Sequence, residues 1–263
     1  MKKALIVVLV LIFGLVFSSS VLAEEITIVG TGDGVSILKA IGEAFSQKNP
    51  GVTIIVPKSI GSGGGIKSVG NDLYKIGRVA RRIKEKEKHF DLKYVPFAKV
   101  PTVFSVNKSV GVKNLSTNQV CDIYSGKITN WKDVGGKDAK IRVVRREDGD
   151  SSFKVLLKSF PGFKDITITS KSKTAYITSE MISILEDREG AIGFGPNDVA
   201  KQANVDVLTI DGKKPAEAGY PSAGVLALIF KAKNYTGNIK KFAEFATSTP
   251  AQDAIKGVGG MPK

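Results

Sequence analysis

The chain has 263 residues, 42% of them apolar, a formal net charge of +14 and one cysteine, Cys121. That apolar share supports a real core in one large domain or two lobes, and a single thiol excludes an internal disulfide. The positive balance admits nucleic acid, an anionic membrane or a small anion as partner. The basic residues are spread along the chain, however, and the one dense run, Arg81 to Lys88, alternates in sign as a solvated helix face does. Nucleic acid is therefore not expected.

Residues 1–23 read as a secretory signal. Lys2 and Lys3 precede an apolar run over residues 4–17, three serines follow, and Val21-Leu22-Ala23 supplies the cleavage site. The run is too short for a comfortable membrane span. The expectation is cleavage after Ala23 and a soluble, periplasmic or secreted mature chain with a net charge of +12.

Residues 25–29 read as a strand, broken by Gly30 to Gly34. A helix then carries Val35, Leu38, Ile41 and Phe45 on one face, and Asn49-Pro50-Gly51 stops it. Residues 52–57 give a second strand, Gly61 to Gly65 a second glycine-rich turn, and Ile66 the start of a short helix. Strands over 92–97 and 102–106, around Pro96 and Pro101, suggest a crossing into a second lobe. Beyond them come a helix over 116–126, the turn-rich segment around Trp131 and a strand over 141–145. The loop Arg146 to Asp150 leads into a helix from Ser151. A helix over 178–189, strands over 191–194 and 223–230, and helices over 237–247 and 250–257 complete the chain. This is an α/β pattern. Residues 24–100 and 225–263 are expected to form lobe one, and residues 101–224 lobe two.

Three loops share one design: a strand, small or polar residues, then a helix start. They are Thr31 to Ser36, Ile60 to Gly65 and Arg146 to Ser152. Unpaired amides at a helix start and the helix dipole favour an anion, and in α/β sheets such loops share one edge. Ser36, Ser62, Ser151 and Ser152 offer hydroxyls, and Arg146 a paired, charged contact to two oxygens. Taken singly, each loop also reads as an ordinary turn with an N-cap serine.

Known catalytic motifs fail. Residues 61–68 resemble a P-loop, but Ile66 replaces the glycine before the lysine. Residues 30–35 lack the third glycine of a dinucleotide fingerprint. One histidine, His89, and one cysteine make no metal site, and no Gly-x-Ser-x-Gly elbow is present. The reading is a binding protein without cofactors, not an enzyme.

Several segments together resemble a family. The most specific is Ile123-Tyr124-Ser125-Gly126-Lys127-Ile128-Thr129-Asn130-Trp131. Gly61 to Gly65, Arg146-Glu147-Asp148-Gly149, Ala191-Ile192-Gly193-Phe194 and Gly257 to Pro262 support it. Over nearly all the mature chain, the sequence resembles the phosphate-capturing components of ABC transporters, of the type II periplasmic binding-protein class. The resemblance implies two lobes joined by crossover strands that close on a dehydrated anion. It also implies inorganic phosphate as ligand and a membrane permease as partner; a binder or sensor of another oxyanion, such as sulfate, molybdate or arsenate, is the alternative, and a phosphatase on the same scaffold a more distant one. A monomer is expected. By the same resemblance, Ser36 and Ile37 supply a hydroxyl and an amide, Ser62 a hydroxyl, and Arg146 a guanidinium held by Asp148. Asp150, Ser151 and Ser152 stand at the donor-rich helix start.

The sequence departs from the family pattern twice. Arg81 stands where an aspartate accepts the phosphate proton in the well-studied branch, and arginine cannot accept a hydrogen bond. It is left either on the anion or turned to solvent. Asp150 stands where a serine is usual. Either it, or failing that Asp33, accepts the phosphate proton, or Asp150 only caps the helix at Ser151.

Overall fold

A computed structural model describes residues 24–217 and 219–263. In chain order they form β1 (Glu24–Gly30), α1 (Val35–Lys48), β2 (Val52–Ile55), α2 (Gly61–Gly70), β3 (Ile76–Val79), β4 (Leu92–Val106) and β5 (Asn114–Leu115). There follow α3 (Thr117–Ser125), β6 (Arg142–Arg146), α4 (Ser151–Ser159), β7 (Lys173–Ala175), α5 (Thr178–Asp187), β8 (Ala191–Pro196) and α6 (Asn197–Ala200). The chain ends with β9 (Asp206–Val207), β10 (Thr209–Ile210), β11 (Ala223–Lys231), α7 (Gly237–Phe245), α8 (Thr249–Gly257) and β12 (Met261–Pro262). The main sheet runs β2-β1-β3-β11-β4-β8-β6-β7, with β9 and β12 also on β4, while β5 and β10 form a separate pair.

Strand alternation explains how each half of the sheet acquires two covered faces. On β11, Leu226, Leu228 and Phe230 face α1, α7 and α8, where Phe45, Phe242 and Ile255 are buried. Ala227 and Ile229, pointing the other way, meet Ile66 and Val69 of α2. In the second half, Val143 joins an aromatic core containing Phe104, Tyr124, Trp131, Phe163 and Phe194. Its neighbour Val144 packs with Met181 and Leu185 of α5.

Two expectations needed revision. The two strands read around Pro96 and Pro101 are one strand of 15 residues, β4. Proline removes a ladder donor, so it is tolerated where pairing is irregular. Pro96 lies where β11 shifts register between Leu226 and Ala227, and Pro101 lies where β4 exchanges β11 for β8 as its partner. Gly61 to Gly65 is not a turn before a helix but the first half of α2. A Cβ on Gly65 would lie 2.8 Å from the Gly30 Cα, so the glycine lets α2 rest directly on β1. Strand β3 was not anticipated, because Arg78 interrupts its short apolar run.

Candidate functional site

The C-terminal ends of β1, β6 and β7 and the start of α2 meet where the two halves of the molecule touch. Ser62, on the first turn of α2, is buried, and its Oγ lies 3.0 Å from the Oγ of Ser151, the first residue of α4. The Ala80 amide donates to the same Ser62 oxygen at 3.2 Å. Beside this pair, Ser152 Oγ donates to Asp33 Oδ1 at 3.1 Å. Both contacts join residues far apart in sequence, from opposite halves of the sheet.

Arg146 ends β6 and is 3% exposed. Its Nη2 lies 2.7 Å from Asp150 Oδ2, its Nε donates to the Ala175 carbonyl at 3.2 Å, and its Nη1 donates to Thr178 Oγ1 at 3.2 Å. Thr178 begins α5. A Cβ on Gly32 would stand 2.6 Å from its hydroxyl, so only glycine allows that approach. The starts of α2, α4 and α5 therefore converge on one buried cluster of hydroxyls and a guanidinium. Such a cluster can take an oxyanion with two or more oxygens.

Arg78 fixes the floor. It is 1% exposed and donates to the carbonyls of Thr31 at 2.7 Å, Pro57 at 2.8 Å and Ile28. No carboxylate pairs with it among the described residues, and burial pushes its guanidinium down to about 10. It thereby holds the Thr31 loop from beneath.

The acidic members divide the work. Burial, helped by the charge of Asp150, pushes Asp33 up to about 8; Arg146 pulls the other way. Asp33 Oδ2 has no hydrogen bond among the described residues. Asp150 has both oxygens engaged, one on Arg146 and one accepting the Phe153 amide at 2.9 Å. Burial pushes Asp150 up as well, and Arg146 opposes that. Asp150 is thus at once the cap of α4 and the anchor of Arg146, which leaves Asp33 as the carboxylate with a free oxygen.

Four of the expected site residues, Asp148, Ser36, Ile37 and Arg81, are placed apart from the hydroxyl cluster's hydrogen bonds. Asp148 does not hold Arg146. Successive strand residues point to opposite faces, so Arg145 lies over the Phe153 ring, 5.1 Å from its centroid, and Asp148 pairs with Arg145 in solvent. The Ser36 hydroxyl bonds no described residue, but the amides of Ser36 and Ile37 are not free. The start of α1 is already occupied by the buried Asp198 carboxylate, which accepts from Gly34 at 3.3 Å, from Ser36 at 3.0 Å and from Ile37. Burial raises Asp198 to about 6, opposed by those amides. Arg81 makes no hydrogen bond to the cluster among the described residues, although its Nη2 lies 3.7 Å from where a Cβ on Gly63, next to Ser62, would stand. Both its terminal nitrogens lie 2.7 Å from Glu87, whose carboxyl this pairing lowers to about 2.

Ser62, Arg146, Ser151 and Ser152 are brought together as read. Thr178 and Asp198 were missed. Thr178 repeats the strand–polar–helix design after β7 and could have been found by it. Asp198 gave no signal, because its partners lie more than 160 residues away.

Two α/β halves sharing one long strand, β4, with facing helix starts around buried anion donors, define a solute-binding protein of the periplasmic type. A family model described as a PBP superfamily domain matches residues 18–250. The phosphate-binding protein PstS of Bacillus subtilis is 31% identical over 239 residues, spanning 88% of this chain and 78% of that protein. PstS of Borreliella burgdorferi is 25% identical over 98% of both chains. A solved structure from Clostridium perfringens with bound phosphate, assigned as a phosphate ABC transporter substrate-binding protein, is 29% identical with a TM-score of 0.79. It is covered over 91% of this chain and 100% of that one. The ABC-type phosphate transport receptor of Vibrio cholerae is 26% identical with a TM-score of 0.62, covering 91% and 100%. The chain belongs to the PBP superfamily and, within it, to the PstS family of phosphate-binding proteins.

Proposed function

We propose that this protein captures inorganic phosphate between its two lobes and hands it to the membrane permease of an ABC transporter. The carrying observation is the meeting of Ser62, Ser151, Ser152, Thr178 and Arg146 around Asp33, drawn from both halves of the molecule. Residues 24–100 with 225–263 would form one lobe and residues 101–224 the other, closing as a hinge. The chain would be exported, cut after Ala23 outside the described residues, and act as a monomer.

Asp33 takes over the proton-accepting role that the sequence left between it and Asp150. Its free oxygen and its burial suit it to share one proton with the anion. Phosphate near neutral pH brings that proton with it. Sulfate brings none, so it binds well only while Asp33 itself is protonated. Phosphate should therefore bind more tightly, and its advantage over sulfate should widen as pH rises from about 6 to about 9, through the Asp33 transition. Competition calorimetry with phosphate, arsenate, sulfate and molybdate measures this. Asp33→Asn should flatten the pH dependence and weaken phosphate about tenfold or more, the scale of one lost charged hydrogen bond. Equal affinities for phosphate and sulfate at the higher pH would reject the reading.

A further inference from the structure

Lobe two carries a second concavity, of about 610 Å³, unrelated to the cleft. The parallel strands β6, β7 and β8 place it. Arg146 and Ala175, at the C-terminal ends of β6 and β7, face the anion cluster. Arg142, Lys173 and Ala191, the first residues of the three strands, line the concavity at the opposite sheet edge. Lys140, Arg142, Lys171, Lys173 and Arg188 surround it, and no carboxylate lines it. None of these five cations forms an ion pair among the described residues, while Lys127 and Lys132 beside the wall pair with Asp122 and Asp138. Its floor is apolar, with Ile128, Ile141 and Ile184. The segment from Ile123 to Trp131, which carries the family resemblance most specifically, supplies part of the wall and nothing to the cleft.

We propose that this basin is a second binding site, for a soluble organic phosphate bearing at least two negative charges. Like-signed cations on a concave rim concentrate a multiply charged anion. An apolar floor rewards a ring or short alkyl part, and the volume is that of a metabolite-sized ligand rather than one tetrahedral ion. The proposal does not depend on what fills the cleft.

The test uses the mature chain with its cleft saturated by inorganic phosphate, titrated with ADP and with tripolyphosphate at about 0.15 M salt. Saturable ADP binding is expected, tighter than tripolyphosphate because of the apolar floor. The combined variant Arg142→Ala, Lys171→Ala, Lys173→Ala should weaken ADP about tenfold, three surface charge contacts acting together. Its inorganic phosphate affinity should remain within about twofold of the parent, which also reports that it is folded. Three results would overturn the proposal: no saturable ADP binding, ADP binding indifferent to the triple variant, or capture of phosphatidylglycerol vesicles that ADP does not displace.

Discussion

Burial decides how Asp33 and Asp198 behave with pH. Both carboxyls are raised in the folded chain, to about 8 and about 6, above an unfolded value near 3.8. Between those limits the native state holds more protons than the unfolded one, so stability falls as pH rises. The thermal midpoint of the anion-free protein should drop by several degrees between about pH 4.5 and pH 8. Asp33→Asn should remove the portion above about pH 6. Glu87, lowered to about 2, acts in the opposite sense and only below its unfolded value, so it does not mask this window. A midpoint flat or rising over that range would refute the burial account.

The acidic loop after β6 separates two aspartates that sequence alone could not rank. Asp150→Asn leaves Arg146 buried without its counter-charge, a loss of about 3–5 kcal/mol. Asp148→Ala breaks a solvent-exposed pair and should change stability by less than about 1 kcal/mol. Ser36→Ala keeps the amide on Asp198 and removes a hydroxyl that bonds no described residue, so it should change stability by less than about 1 kcal/mol. Chemical denaturation and calorimetry on the three variants check the ordering; a larger stability loss for Asp148→Ala than for Asp150→Asn would invert the assignment.

At the scale of elements, local patterning carried most of the reading. Helices α1, α3, α4, α5, α7 and α8 and strands β1, β6, β8 and β11 fall within a few residues of their sequence signals, because each buries a periodic apolar face. The misses have physical causes. A strand of four residues holding Arg78 has no apolar period, and a helix opening with four glycines in its first five residues has low intrinsic propensity. In α2, close packing on β1 outweighs that propensity. Ser62, Arg146, Ser151 and Ser152 were legible because helix starts announce themselves. The partner of Arg146 was not, since the choice between Asp148 and Asp150 depends on which face of β6 each arginine takes. Gly65→Ala tests the packing claim: its methyl would press on the Gly30 backbone, lowering stability by about 1–3 kcal/mol and shifting Ser62. A fully stable variant with unchanged phosphate affinity would show that α2 has room to spare.

For the whole molecule, charge and connectivity matter most. A net charge of +12 on the proposed mature chain draws anions from a distance, so the phosphate association rate should fall as ionic strength rises, while dissociation changes little. Stopped-flow measurements at two salt concentrations separate the two rates. Rim cations take part from both sides: Lys154 of α4 lies near enough to Arg81 and Lys84 to be lowered by them, after burial.

Strand β4 belongs to both halves at once, pairing with β11 along its first part and β8 along its last. It is placed like the spine of a book: in the proposed hinge the covers would swing, but neither could slide a row past the other without tearing a ladder of amide bonds. In the proposed closure every stroke would therefore bring the same hydroxyls face to face, and fidelity toward the ion would be built into the binding of the pages rather than relearned at each capture.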